Sequence, residues 1–470
     1  MSDIVSVVGA SAAVAAQHEV PTGVTLFFTL LLVALILCLA LEEKIHAKKS
    51  LIVGLFAVVA LLFGSYFELL PFGAVTLFNG ESIHLPVYIP AIDWGVIAII
   101  LGSSIFVDVT SKSGLFTWVA IKLTKASVGD PIKLLWFYCF MTVVFSAVLN
   151  NVTAMIIVGS LTGVSLKKLG QMDKLLGFLL IEGLLTNIGG LLTLISSVPN
   201  IIVGNAAGIS FVDFFLTASP FVLVASVVTI LFGAKMFDIQ GLKTAEEKKQ
   251  AAFLVSSFDE NDGIHSPAFF RFAAVMLLAF IVTIATASIT PLVKDLGMGF
   301  VAIAFAVMML VRYKSEVDQF YQSVDWDLLA FFMALFIVIN VLEHAQVLAL
   351  IGHGIAWIIG LGDTLGTGAL LVAAAGFSSV TDNIPLAAML SKILVAQNTA
   401  PDSALWWSVV FGANLGGNLT PIGSASTLVA VTIIHKYQLP MSFIGFVKVA
   451  FPFAMIHLGL ATLYVLLVLK

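Results

Sequence analysis

Phe145-Ser146-Ala147-Val148-Leu149-Asn150-Asn151-Val152 is written again 232 positions later as Phe377-Ser378-Ser379-Val380-Thr381-Asp382-Asn383-Ile384. Each copy puts two polar side chains in the middle of an apolar run, where a plain membrane helix would carry leucine. Ile92-Asp93-Trp94 recurs at the same offset as Val324-Asp325-Trp326. Further along, Thr186-Asn187-Ile188-Gly189-Gly190 returns as Ala413-Asn414-Leu415-Gly416-Gly417 after 227 positions, so the second copy is shorter by five residues. The chain holds two matched halves.

Composition sets the class. Of 470 residues, 60% are hydrophobic and 10% charged, and the mean hydropathy is +1.10. That balance belongs to a polytopic membrane protein and excludes a soluble globular chain. Runs near the roughly 20 apolar residues that span a bilayer fall near 24–41, 51–70, 92–109, 221–237, 269–289, 300–311, 328–342 and 443–469. The run near Phe300 is short unless its neighbours extend it. Four less regular pieces, 134–164, 175–203, 365–395 and 405–434, are interrupted by Asn, Gly, Ser, Thr or Pro and contain the repeated motifs. The expected units are 1–50 with the first span, 51–234 as the first repeat, 235–266 as a polar linker and 267–470 as the second repeat.

A net charge of −5 says little about partners, and nothing points to nucleic acid. Cys38 and Cys139 lie in apolar runs and read as buried small residues, not as a disulfide framework or metal cluster. The first 20 residues lack a basic start, so no cleaved signal peptide is expected.

Orientation follows from the basic residues. All of the 22 except Lys294, Lys392 and Lys470 can be placed on one side, and by the positive-inside rule that side is the cytoplasm. The linker is then cytoplasmic and both termini are outside. The piece 134–164 starts and ends at basic loops with Asn150 and Asn151 at its middle. Its arms of about 15 residues reach about 22 Å, which points to a re-entrant hairpin. The piece 365–395 is its counterpart from outside. The span after Asp93 runs inward and the span after Asp325 outward, so the halves are inverted. Inverted repeats with broken helices are the architecture of secondary transporters, whose sites lie between the repeats.

A hairpin tip and an unwound helix expose backbone carbonyls and amides, and Asn and Thr side chains add neutral oxygens suited to sodium. Half-helix N-termini can receive an anion. One expected cluster is Asn150, Asn151, Thr153, Thr186 and Asn187 with Gly189, Gly190, Ser196, Ser197, Pro199 and Asn200. The other is Asp382, Asn383, Pro385, Asn414, Gly416, Gly417, Asn418, Thr420 and Ser424. Asn151, Asn187, Asn383 and Asn414 are the sodium candidates. Asp382, the carboxylate of the paired tips, is expected to couple the proton, since burial raises a carboxyl pKa into an exchangeable range. Asp108 and Glu182 are second proton carriers or structural partners. Asp93 and Asp325 read as caps, and Trp406-Trp407 as an interfacial belt.

The Asn-Asn-Val-Thr tip (Asn150–Thr153), Thr-Asn-Ile-Gly-Gly (Thr186–Gly190), Pro199–Gly204, Asp-Asn-Ile-Pro (Asp382–Pro385) and Asn-Leu-Gly-Gly-Asn (Asn414–Asn418) resemble the ion transporter superfamily. Within it they are similar to the P-protein (pink-eyed dilution) and arsenite permease branch and to sodium/proton antiporters of the NhaD type. The resemblance runs from about Asp93 to the end. It implies an all-α protein with about eleven spans plus two re-entrant hairpins, a scaffold part and a transport part, and a homodimer. The superfamily's Gly-Asp-Pro-Pro-Asn reads Ser196-Ser197-Val198-Pro199-Asn200 here, without the carboxylate.

The expected function is secondary active transport in a bacterial cytoplasmic membrane. Sodium/proton antiport comes first, and sodium- or proton-coupled transport of arsenite, another oxyanion or a di- or tricarboxylate second. The coupling ions are sodium and protons, and no cofactor is implied. No hydrolase or ATP-binding motif is present, which argues against an enzyme.

Overall fold

Among the described residues, and leaving aside the short helices Glu42–Ile45, Met172–Lys174 and Val317–Ser323, nine helices of the first half are answered by nine of the second. The computed structural model describes residues 20–70, 74–76, 82–314, 317–381 and 383–469. The first set is α1 (Thr22–Ala40), α2 (Lys49–Tyr66), α3 (Trp94–Lys112), α4 (Leu115–Ser127), α5 (Pro131–Val148), α6 (Asn151–Lys168), α7 (Leu175–Gly190), α8 (Val198–Ala207) and α9 (Phe211–Met236). A linker helix, α10 (Ala245–Ser256), follows. The second set is α11 (Pro267–Ala285), α12 (Val293–Arg312), α13 (Trp326–His344), α14 (Val347–Ile359), α15 (Asp363–Ser378), α16 (Asn383–Ala396), α17 (Ala404–Gly416), α18 (Ala425–Lys436) and α19 (Phe443–Leu467). Between α2 and α3, a short β1 (Ala74–Thr76) pairs antiparallel with β2 (Ser82–His84).

The same local signals start matched helices. The Asp93 carboxylate accepts from Val96 N at 3.1 Å and Asp325 from Leu328 N at 2.9 Å, capping α3 and α13 as expected. The indoles of Trp94 and Trp326 donate to Ile89 O and Tyr321 O at 3.1 and 3.0 Å. Ser210 and Ser442 cap α9 and α19 in the same way.

The linker marks one face of the molecule. At the start of α5, Asp130 accepts from Leu242 N at 3.0 Å, and at the end of α6, the Lys168 ammonium sits 4.8 Å from the Phe258 ring. The hairpin α5–α6 therefore returns to the face it left. Its arms have 18 residues each, longer than the sequence implied, and reach about 27 Å. α9 and α19 run antiparallel, with Phe232 on Phe453 at 4.8 Å and Phe221 near Tyr464 at 6.0 Å. α19 thus ends on the far face, where Thr462 and Leu466 lie beside Gly368 of α15. The hairpin α15–α16 opens there.

Two segments cross the protein as broken helices. α7 starts under Phe237 at the linker face, breaks over residues 191–197, and continues as α8 to the far face, where Asn205 donates to Asp93 at 3.2 Å. α17 starts at the far face with Trp407 on Phe214 at 4.9 Å, breaks over residues 417–424, and α18 ends where Tyr437 covers Gly163 near the linker face. The halves are inverted.

They also exchange partners. α3 packs along α12 and α2 along α13, while α6 lies on α18 and α8 on α16. Gly102 backs onto Ala302 and Gly299 onto Ala98, the small-residue contact that lets membrane helices approach closely. α4 runs along the linker face, Gly114 beside Gly263 at one end and Gly129 beside Ala251 at the other. Nine helices among the described residues, α1, α2, α3, α5, α9, α11, α12, α13 and α19, are long and apolar enough to cross a membrane, and the two broken segments also run from face to face. The short run near Phe300 is completed back to Val293 through a non-helical Gly297.

One reading is corrected. Trp406 and Trp407 are 1% and 8% exposed, and the Trp406 indole donates to Ala400 O at 2.9 Å. Trp407 packs α17 against Phe214 of α9, both indoles lie inside the protein, and they form no interfacial belt.

Candidate functional site

The starts of four helices converge on one cavity. It has a volume of about 580 Å³ and is lined by Asn150–Thr153 of α6, Ser196–Pro199 before and in α8, Asn383 and Ile384 of α16, and Ser424–Ser426 at α18. From there it extends to Lys48, Lys49, Glu42, Asp325 and Asp327 at the linker face. Each helix start carries free backbone N–H groups and the positive end of its dipole. At the four helix starts the polar side chains of the lining are amides and hydroxyls, and the charged ones lie toward the linker face.

Behind the cavity the two broken helices are tied by a pair of matched joints. Asn187 Oδ1 accepts from Ser424 Oγ and Ser426 Oγ, each at 2.9 Å, and from Asn151 Nδ2 at 3.3 Å. Its Nδ2 donates to Asn418 Oδ1 at 2.8 Å. In the mirror joint, Asn414 Oδ1 accepts from Ser197 Oγ at 2.7 Å and its Nδ2 donates to Asn200 Oδ1 at 2.9 Å. Each asparagine thus reaches the break of the opposite half.

The breaks themselves are satisfied internally, as buried backbone requires. Asn200 Nδ2 donates to Gly190 O at 2.7 Å and Thr193 O at 2.9 Å, with Ser196 Oγ on the same two carbonyls. Thr420 Oγ1 donates to Ser379 O at 2.6 Å, and Thr193 Oγ1 does the same to Ala147 O in the first half. A side chain on Gly189 would meet Val143 Cα at 2.8 Å, and one on Gly416 would meet Ala375 Cα at 2.8 Å. Glycine is required there because the hairpin backbone touches the broken helix. Gly190 faces the Asn151 amide and Gly417 faces Ser424 in the same manner.

The expected residues therefore divide into two layers. Asn151, Thr153, Ser196, Ser197, Pro199, Asn383 and Ser424 line the cavity. Asn150 lines it too, but its Oδ1 accepts from Thr153 N at 2.8 Å and caps α6. Asn383 is 7% exposed and its side chain has no hydrogen-bond partner among the described residues. Thr186, Asn187, Gly189, Gly190, Asn200, Asn414, Gly416, Gly417, Asn418 and Thr420 stand behind as joints, and Pro385 is buried in the first turn of α16. The Thr186 hydroxyl turns back to Glu182 O at 2.7 Å. Asp382 lies outside the described residues. Asp108 pairs with Lys112 at 3.7 Å, away from the tips.

Glu182 is fully buried in α7, with Thr162 donating to its Oε1 at 2.7 Å. Ser426, Ser146 and Ser378 were not foreseen. Ser146 Oγ donates to Asn151 Oδ1 at 2.9 Å and Thr186 O at 2.5 Å, and Ser378 Oγ to Ala413 O at 2.5 Å. The recurrence of Ser146 as Ser378 at the 232 offset was the signal that could have found those two, whereas Ser426 has no such counterpart. No cluster of three or more His, Cys, Asp or Glu side chains able to hold a metal occurs among the described residues.

A family model described as citrate transporter, CitMHS, matches residues 2–412. The chain belongs to the CitMHS family. A mycobacterial relative, an uncharacterized transporter (Rv2685) of Mycobacterium tuberculosis, is 31% identical over 384 residues, covering 79% of this chain and 86% of its own. The P protein of Homo sapiens is 23% identical over 519 residues, covering 91% of this chain and 60% of its own. The solved YdaH transporter of Alcanivorax borkumensis matches with a TM-score of 0.58 at 12% identity, over 89% of this chain and 98% of that one. This likeness extends to the fold. A CitMHS protein is a membrane transporter, and the superfamily inferred from the tip motifs stands.

Proposed function

We propose that this CitMHS transporter carries a small anion of the polycarboxylate class, citrate being the first to test, by alternating access between the two hairpin tips. The observation that carries the reading is the convergence of four helix N-termini, two from each half, on one cavity lined by amides and hydroxyls. Such an arrangement stabilises negative charge through backbone N–H groups and helix dipoles, with Lys48 and Lys49 in the same lining toward the linker face. A cavity of about 580 Å³ is also far larger than a bare cation needs. Sodium finds its place at the opposite ends of the same joints, where α5, α7, α15 and α17 finish and carbonyls and Asn oxygens gather.

Sodium/proton exchange is the second reading. It is favoured by the oxygen-rich surroundings of Asn187 and by Asp382, which holds in the second half the register of Asn150 and would carry the proton. In both readings the protein lies in a bacterial cytoplasmic membrane with the linker inside, because the basic residues gather at the linker face; a homodimer is what the superfamily resemblance implies.

The test uses the purified chain in liposomes with labelled citrate, imposed sodium and proton gradients and an internal pH dye. Saturable citrate counterflow and gradient-driven uptake are expected. Proton flux driven by sodium, with no uptake of citrate or any other di- or tricarboxylate, would select exchange instead.

A further inference from the structure

Glu182 has no counterpart in the second half. Its Oε1 accepts from Thr162 at 2.7 Å, while its Oε2 has no hydrogen-bond partner among the described residues. At the repeat offsets, Glu182 matches Val409 and Thr162 matches Leu394, both fully buried. The fold therefore closes this joint with two apolar side chains when nothing else is asked of it. A carboxyl at such depth is costly to keep and is retained for use.

Hydroxyls lead from that carboxyl to the linker face. Thr162 and Ser165 lie on one side of α6, one turn apart. Ser165 Oγ is 2.7 Å from the Tyr138 hydroxyl of α5, which is 2.9 Å from Thr124 Oγ1 of α4. Thr124 lies between Lys122 and Lys125, whose ammonium groups hold Glu260 of the linker. The step from Thr162 to Ser165 has no direct bond and needs a water or a rotamer change. In the second half the corresponding positions are Leu394, Gln397, Leu370 and Ala356, so the path exists on one side only.

We propose that Glu182 is a proton-carrying group of this transporter, loaded from the linker face through Thr124, Tyr138, Ser165 and Thr162. Each hydroxyl takes a proton on its oxygen and passes its own to the next, so the net change is one proton gained by the carboxylate. The carboxyl stands little more than a turn from Asn187, so its charge acts on the joint behind the cavity. On the α5 side the titratable groups are Tyr138, reached through Ser165, and its fully buried neighbour Cys139. α6 presents hydroxyls. α18 brings Ala430 against Gly183, and Tyr437 beyond its end covers Gly163. α9 brings Gly233 against Ile181, and no basic side chain pairs with Glu182 among the described residues.

The inference rests on the carrier reading above, and the test separates the two. Wild type, Glu182→Gln and Tyr138→Phe are compared in liposomes by labelled-citrate counterflow across pH, by net uptake under a pH gradient and by dye-reported proton flux. Glutamine has the shape of the protonated carboxyl. Its counterflow should lose the pH dependence of wild type while pH-driven net uptake falls about tenfold or more. Tyr138→Phe should slow proton flux and keep the wild-type pH profile of counterflow. Glu182→Gln with wild-type pH-driven uptake and profile overturns the proposal. If Glu182→Gln does not fold, unchanged proton flux in Tyr138→Phe overturns it and slowed flux supports it. If wild type carries no citrate, the carboxylate reading fails, and sodium-driven proton flux in the same vesicles decides. Its loss in Glu182→Gln supports the proposal, whereas its persistence there, or its absence in wild type, overturns it.

Discussion

The two broken helices solve one problem with the same parts and then diverge. In both, an asparagine at the end of the first segment reaches a serine at the start of the opposite second segment, Asn187 to Ser424 and Asn414 to Ser197. Yet Asn187 gathers Ser426, Asn151 and Asn418 as well, whereas Asn414 adds Asn200 and the Val410 carbonyl. Asn418 stands where the first half has Leu191, and Glu182 where the second has Val409. The shared parts hold the breaks open in a buried setting. The unshared ones concentrate polar groups around Asn187, which makes the two halves unequal in chemistry though matched in path.

Substituting each asparagine is the largest disturbance of that balance. Asn187→Ala should abolish uptake and destabilise the protein by about 2–3 kcal/mol, since it strands several buried donors and acceptors. Asn414→Ala, with fewer side-chain partners, should cost less, and thermal unfolding of the two in detergent checks the order. Equal losses would mean the extra bonds to Asn187 contribute nothing.

The glycines separate holding from binding. Gly416→Ala drives a methyl into the backbone of α15 at Ala375 and should be a folding defect. Gly190→Ala instead displaces the Asn151 amide, whose Cγ would lie 2.9 Å away. It should fold and raise the KM for uptake about tenfold. A Gly190→Ala protein with normal KM would show that Asn151 does not contact the substrate.

The linker should matter least. Shortening the segment 243–250 should leave transport measurable, and complete loss of flux in a folded protein would contradict this. Its latch to α4 has a defined pH range. Hydrogen bonds from Lys122 and Lys125 hold the Glu260 carboxyl down at about 2, below the ordinary glutamate value of 4.5. Because that pKa is depressed in the folded state, the contact is fully present above pH 4.5 and is lost as pH falls through about 2. Hydrogen exchange of residues 257–264 should be flat from pH 8 to 5 once corrected for intrinsic rates, and Glu260→Gln should raise it throughout.

Much of this was legible in the sequence because a repeat exposes its own constraints. Asn150, Asn151, Asn187, Asn383 and Asn414 stood out against apolar surroundings at fixed offsets, and the basic residues gave the inversion. What stayed hidden depends on contacts between distant segments. The exchange of α2 and α3 between the halves leaves no local pattern, and the double tryptophan at Trp406-Trp407 reads as interfacial until α9 is seen covering it. The division of the polar residues into a cavity-lining layer and a joint layer likewise arises only from the packing of the two halves. Thr186 and Asn187 are adjacent in sequence, yet one hydroxyl turns back into its own helix while the neighbouring amide crosses to the other half.

The central claim is that one anion is held by both tips together. Equilibrium binding of labelled citrate to the purified protein, measured for wild type, Asn151→Ala and Asn383→Ala, tests it most directly. The account predicts saturable binding that both substitutions weaken by a similar factor of about ten or more. Binding that survives unchanged in either variant, or a wild-type protein that binds sodium and no carboxylate, would contradict it.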